Sequence, residues 1–199
     1  MAGAHEQLER AEHAEHAAHG HGPSSTNKRI ALLIAILALF LAISETLGKG
    51  AQTEALNYNV EASNLWAFFQ AKTIRQTAVR TAAETVELTR PQVTDPAVAK
   101  RLDTWAKTVA RWETEPETQE GRKELAVRAK QAETNRDTSL ARYHHYEVAS
   151  AAFQIAIVLA SAAVITSAMV LAFVAIGLGA VGLVFTAIGL LAPHSVHLF

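Results

Sequence analysis

The chain has no cysteine, two methionines, five prolines and a formal net charge of −1 over 199 residues. Without cysteine there is no disulfide framework and no thiolate cage for zinc, although the redox compartment stays open. Without a cationic excess, counterion release cannot drive binding to DNA or RNA, so no nucleic acid is expected as a partner. The most informative absence is local. Residues 148–199 contain no Asp, Glu, Lys or Arg, and residues 30–44 form a second uncharged, apolar run. A water-soluble domain does not carry such segments, and a lipid bilayer is the partner they imply.

The lengths of these runs set the number of crossings. Lys28 and Arg29 precede an apolar stretch over residues 30–47, about 18 residues or roughly 27 Å of helix, enough for one span. A cleaved signal peptide competes with this reading. The long acidic region before the run, and the absence of a small-x-small cleavage pattern after it, favour an uncleaved anchor. The C-terminal run is too long for one span and fits two. Thr166-Ser167-Ala168-Met169 is its most polar point and predicts a turn there, with spans at 148–165 and 170–191, a stop at Pro193 and a short tail over 192–199.

Residues 45–147 carry 15 basic and 15 acidic side chains, which must lie in water. Apolar residues at Leu65, Phe69, Val79 and Val86 recur at helical spacing in a stretch free of proline. Arg90-Pro91 through Asp95-Pro96 breaks it, and Asp95-Pro96 also signals a helix start. Val98, Leu102, Trp105, Val109 and Trp112 follow at steps of four and three. A second break falls at Glu115-Pro116-Glu117, after which Leu125, Ala129, Ala132, Leu140 and Tyr143 form a weaker stripe marred by Arg136. The ascending and returning segments measure roughly 69 and 78 Å as helix. With Pro116 as a kink, this near-match predicts a long antiparallel, coiled-coil-like hairpin over 48–147 that turns at 90–96 and stands on the membrane as a stalk. A compact three-helix knob is the alternative. The fold class is therefore all-α, with three transmembrane helices and this hairpin.

Two sets of residues suggest association. Leu65, Trp66, Phe68 and Phe69 sweep roughly 160° of helix surface, wider than one partner helix covers, so a homo-oligomer or another subunit is expected there, together with Trp105 and Trp112. In the last span Gly179, Gly182 and Gly189 lie on a small-residue face that lets helices approach closely in lipid, within or between chains.

Chemistry is sparse. No Walker sequence, Gly-x-Ser-x-Gly or His-Glu-x-x-His occurs, and Gly177-Leu178-Gly179-Ala180-Val181-Gly182 sits inside a span rather than at a strand-to-helix turn. A non-enzymatic protein without a cofactor is expected. Histidine does cluster. His13, His16, His19 and His21, in a polar tail over residues 1–29, could chelate a metal ion weakly. Three spans also bring Glu45, His144, His145, His194 and His197 to one membrane surface, where an ion or proton site is conceivable beside the simpler reading of interfacial polar residues. Lys28 and Arg29 favour a cytoplasmic N-terminus and a periplasmic stalk, whereas Lys49, Arg136 and Arg142 pull the other way.

The stretch Asn27-Lys28-Arg29-Ile30-Ala31-Leu32-Leu33-Ile34-Ala35, with Leu41-Ala42-Ile43-Ser44-Glu45, Ala51-Gln52-Thr53-Glu54-Ala55 and Ala62-Ser63-Asn64-Leu65-Trp66-Ala67-Phe68-Phe69-Gln70-Ala71-Lys72-Thr73-Ile74-Arg75, resembles a bacterial membrane-protein family known as domain of unknown function 4337. The resemblance spans almost the whole chain, specific in its first half and compositional in its second. It implies a bacterial inner-membrane location and a three-span plan, and it supplies no activity. The expected function is that of a self-associating structural or accessory subunit of a membrane assembly. A homo-oligomeric channel, or an ion-, metal- or pH-responsive membrane protein, is the alternative.

Overall fold

In the computed structural model, which describes residues 25–89 and 95–196, the described residues form four helices and no strand: α1 Ser25–Thr89, α2 Pro96–Glu113, α3 Arg122–Thr166 and α4 Met169–Leu191. Parts of α1, α3 and α4 are long and apolar enough to cross a membrane. The chain divides into two compact units. The first joins residues 25–48 to His144–Ser195, and the second is built on Lys49–Tyr143. Both α1 and α3 run from one unit into the other. No helix break marks the junction expected after residue 47. Gly48 and Gly50 lie inside α1, and a helical glycine costs only about 1 kcal/mol relative to alanine.

In the first unit small side chains do the packing. Ala149, Phe153, Ala156, Ala160 and Ala163 of α3 are buried with Ile30 and Leu37 of α1 and with Ala172 and Ala175 of α4. A Cβ on Gly179 would lie 2.6 Å from Leu37 Cδ2, and one on Gly182 would lie 2.8 Å from the Phe153 ring. One on Gly189 would lie 2.8 Å from Tyr146 Cε1. The glycine face therefore closes onto α1 and α3 of the same chain, the use that lipid favours for small residues. Phe153 also stacks on Phe40, with ring centroids 6.1 Å apart. Leu32, Leu39, Val158 and Phe173 are exposed, which is compatible with helices that can cross a membrane. Between α3 and α4 only Ser167 and Ala168 leave the helix, and Ser167 reverses the chain with φ 56°, in the left-handed region.

The second unit is built on a heptad seam. Along α1, Ala51, Ala55, Ala62, Leu65, Lys72 and Gln76 are buried and Tyr58, Phe69, Val79, Ala83 and Val86 half-buried, in steps of four and three with no slip. Leu125, Ala129, Ala132 and Ser139 of α3 are buried in the same unit. The polar contacts give the register: Glu54 with Ser139 at 3.3 Å, Asn59 with Arg136 at 3.5 Å, Trp66 with Glu133 at 2.8 Å and Gln76 with Arg122 at 2.7 Å. Numbers rise along α1 as they fall along α3. Beyond Gln76 the partner of α1 is α2, which starts where Asp95 accepts a hydrogen bond from the Ala97 amide at 2.8 Å and Pro96 occupies the first turn.

Two expectations need correction. The interruption near Pro116 is not a kink, because the chain is non-helical over residues 114–121. Proline removes a donor there, Gln119 takes φ 58°, and the Glu124 carboxylate binds the Thr114 hydroxyl at 2.7 Å and the Glu115 amide at 3.2 Å, which stabilises the opened turn. A Cβ at Gly121 would run into that carboxylate and the backbone at Thr114 and Glu115, so only glycine fits. The stripe on α3 also runs differently from the one expected. Leu140 is exposed, and the seam passes through half-buried Arg136 and buried Ser139, whose polar ends are taken up by Asp137, Asn59 and Glu54.

Candidate functional site

The densest polar constellation lies in the second unit, where α1, α2 and the start of α3 meet. Gln76 is 2% exposed, and its amide nitrogen donates to the Val109 carbonyl and to Glu113 Oε2, both at 3.1 Å. Arg122 Nη1 donates to Gln76 Oε1 at 2.7 Å and to Glu113 Oε2 at 2.8 Å, and its guanidinium lies 4.9 Å from the Phe69 ring centre. One turn earlier on α1, Lys72 is also buried. It reaches the Glu120 carbonyl and Glu115 Oε2, and sits over the Phe68 ring at 5.1 Å.

The electrostatics follow from these contacts. Donation from Gln76, and then the positive charges of Arg122 and Lys123, hold the Glu113 carboxyl below its ordinary value of 4.5, although burial opposes them. The Thr114 hydroxyl does the same for Glu124, aided by the Glu115 amide. The cluster offers neither a nucleophile with a base nor a free carboxylate pair. Its chemistry is that of a lock: it fixes which turn of α1 meets α2 and which meets α3, the use to which polar residues on a heptad seam are put. Phe68 and Phe69 were singled out in the sequence for their apolar surface, whereas Gln76, Glu113 and Arg122 were not. The available signal was that Lys72 and Gln76 fall on the seam set by Leu65, Phe69 and Val79.

A second polar grouping belongs to the first unit. Ser44 is fully buried and donates to the Tyr146 carbonyl at 3.2 Å. His145 is 1% exposed, its ring stacks on Phe185 at 6.1 Å, and its Nε2 lies 3.0 Å from the Pro193 carbonyl. A carbonyl only accepts, so Nε2 is the donor in this contact, and Nδ1 has no hydrogen-bond partner among the described residues. Thus α1, α3 and the end of α4 do meet near these positions, and His145 is interior rather than snorkelling. The carboxylate of Glu45 accepts from Gln154 at 3.4 Å, not from a histidine. His144 lies 3.7 Å from Glu147, and His194 is exposed. Among the described residues no group of three or more His, Asp or Glu is arranged to hold a metal ion. His13, His16, His19, His21 and His197 lie outside the described residues.

The association residues divide. Leu65 is buried against Leu125 and Ala129, with Trp66 and Phe69 packed on the same cluster. Trp66 donates its indole N–H to Glu133 and meets Phe69 edge-on at 5.5 Å. These three are covered within the chain and do not by themselves require a partner, whereas Phe68 is exposed. Trp105 and Trp112 are half-buried, on a helix with no buried residue. Open grooves of about 450 and 430 Å³ flank Trp105, one lined by Val86, Val98 and Leu102, the other by Val79, Ala83 and Val109. Gly179, Gly182 and Gly189 are used inside the first unit, as described above.

Fold and site together define an all-helical protein with three membrane-capable helices and a heptad-packed polar unit. The chain belongs to the family described as domain of unknown function DUF4337, whose family model matches residues 26–192. No curated protein and no solved structure matches it.

Proposed function

We propose that the chain is a non-enzymatic, multi-pass protein of a bacterial inner membrane that self-associates as a structural or accessory subunit of a membrane assembly. On this reading α1 pairs with α2 and α3 as an antiparallel stalk, the N-terminus is cytoplasmic and the stalk periplasmic. The supporting observation is on α1. Its seam already has a partner, yet Leu56, Val60, Ile74 and Leu88 on the remainder of its surface are 58–82% exposed outside the apolar run of that helix. Exposed aliphatic side chains in water, on a helix that has otherwise satisfied its packing, mark a contact surface. Native mass spectrometry of gently solubilised membranes tests this. A multiple of the 21.4 kDa chain, alone or with foreign subunits, is expected, and a monomer alone refutes it.

A second reading is conduction through an oligomer. It is favoured by Glu45 and Gln154, a polar pair exposed on the outside of the first unit, since such groups in spans face other protein or water rather than lipid. Ion flux in reconstituted vesicles that disappears with Glu45→Ala is its signature, and flux-free vesicles dismiss it.

A further inference from the structure

The outward face of α1 carries a second periodicity. Val60, Ala67, Ile74, Thr81 and Leu88 recur every seven residues and are all exposed, on the side of the helix away from the seam. A strict seven-residue repeat on a face left exposed among the described residues has no role in the fold described above. Of the charged residues between positions 56 and 88 only Glu84 lies on this face, and the others sit on the seam or its flanks.

We infer that this face is the docking surface for α1 of a second copy, running parallel in a two-stranded pair. The inference rests on the self-association reading above and names its surface. Direction follows from topology, because two copies sharing one bilayer in one orientation carry α1 the same way. Charge follows from the face itself. A parallel pairing sets same-numbered residues opposite one another, so Glu84 is the single like-charge contact, and Arg80 stands one turn before it on each helix. A foreign helix would be selected by charges along such a stripe, and the stripe offers almost none. Area is sufficient. Residues 56–88 extend roughly 48 Å, and a strip about 10 Å wide on each copy gives about 1,000 Å² in total, the lower bound for a specific interface. Confinement of both copies to one membrane raises their effective concentration and makes that bound workable.

The natural absence of cysteine makes the test clean. Single variants Ala67→Cys and Thr81→Cys, in membranes exposed to a mild oxidant, should form disulfide-linked dimers at least tenfold faster than Lys130→Cys, which is exposed on α3 off the stripe. In detergent, Ile74→Arg should shift the full-length protein toward monomer, a side chain that is 69% exposed and so dispensable for the fold. A normal assembled mass with no cross-linking on the stripe overturns this surface and leaves self-association standing. A monomeric unmodified protein sinks both. Cysteines on the stripe that capture a different polypeptide overturn the choice of a second copy.

Discussion

Replacing Arg122 by methionine probes the polar lock. Methionine keeps a long stem against Phe69 and discards the charge and its donors. The lost bond to Glu113 involves side chains 23% and 33% exposed, so solvent screening reduces it to about 1 kcal/mol. Gln76, 2% exposed, loses the donor to its carbonyl oxygen, and an unsatisfied buried acceptor costs about 1 kcal/mol or more. The second unit should therefore be destabilised by about 2 kcal/mol, a shift of roughly 1–2 M in the urea midpoint for a domain of this size. All three tryptophans, Trp66, Trp105 and Trp112, lie in that unit, so intrinsic fluorescence of the whole chain in mild detergent follows its unfolding selectively. Gln76→Leu and the double variant complete a cycle, with a coupling of about 1 kcal/mol expected between the two sites. A midpoint shift under about 0.3 M, or strict additivity, would show that these contacts do not act as a unit.

Because the carboxyls of Glu113 and Glu124 are held below their ordinary value of 4.5, their contribution is present above that pH and is lost as pH falls through their lowered values. Urea midpoints of the second unit should drop on acidification below 4.5 and do so less in Glu113→Gln, and an equal drop would contradict the assignment. In the first unit, Gly182→Val places a branched side chain against the buried Phe153 ring and should cost roughly 1–3 kcal/mol in detergent melts followed by circular dichroism. Gly177→Ala meets nothing within 4 Å and should be neutral or slightly stabilising, and equal damage from both would mean the packing is misplaced. Ser167→Gly relieves a left-handed residue and should raise the melting temperature of the spans, by about 1 kcal/mol in stability at most.

How much of this was legible depends on the kind of signal. Three membrane-capable segments, the turn at Ser167 and the start of α2 at Asp95-Pro96 were plain, because hydropathy and capping act within a few residues. The seam through Leu65, Phe69, Val79 and Val86 was legible too, since a heptad repeats its message. The polar lock was not. Lys72 and Gln76 look like solvated positions until the seam is drawn through them, and their partners Glu113, Glu115 and Arg122 lie 37 or more residues away. Arg136 misled for the same reason, its cost being met by Asn59, 77 residues distant. The glycines of α4 suggest packing within or between chains, and their neighbours Leu37, Phe153 and Tyr146 could only come from tertiary structure.

The two units solve different physical problems with one continuous α1. In lipid the hydrophobic effect offers no reward for bringing helices together, so close approach must come from shape, and alanine and glycine against Leu37 and Phe153 provide it. In water, burial supplies the drive but not the register, because a seam rich in alanine can slide by a heptad at little cost. Ala51, Ala55 and Ala62 would tolerate such a slip, whereas Gln76 bonded at once to α2 and α3 would not. The lock therefore belongs where it is found, far along α1 from the alanine-rich start of the seam. It also fixes the rotation of α1, which keeps Val60, Ala67, Ile74, Thr81 and Leu88 turned outward. If two copies pair through that stripe as proposed, loss of the lock should weaken association as well as folding, and an Arg122→Met variant that is destabilised but assembles normally would separate the two roles.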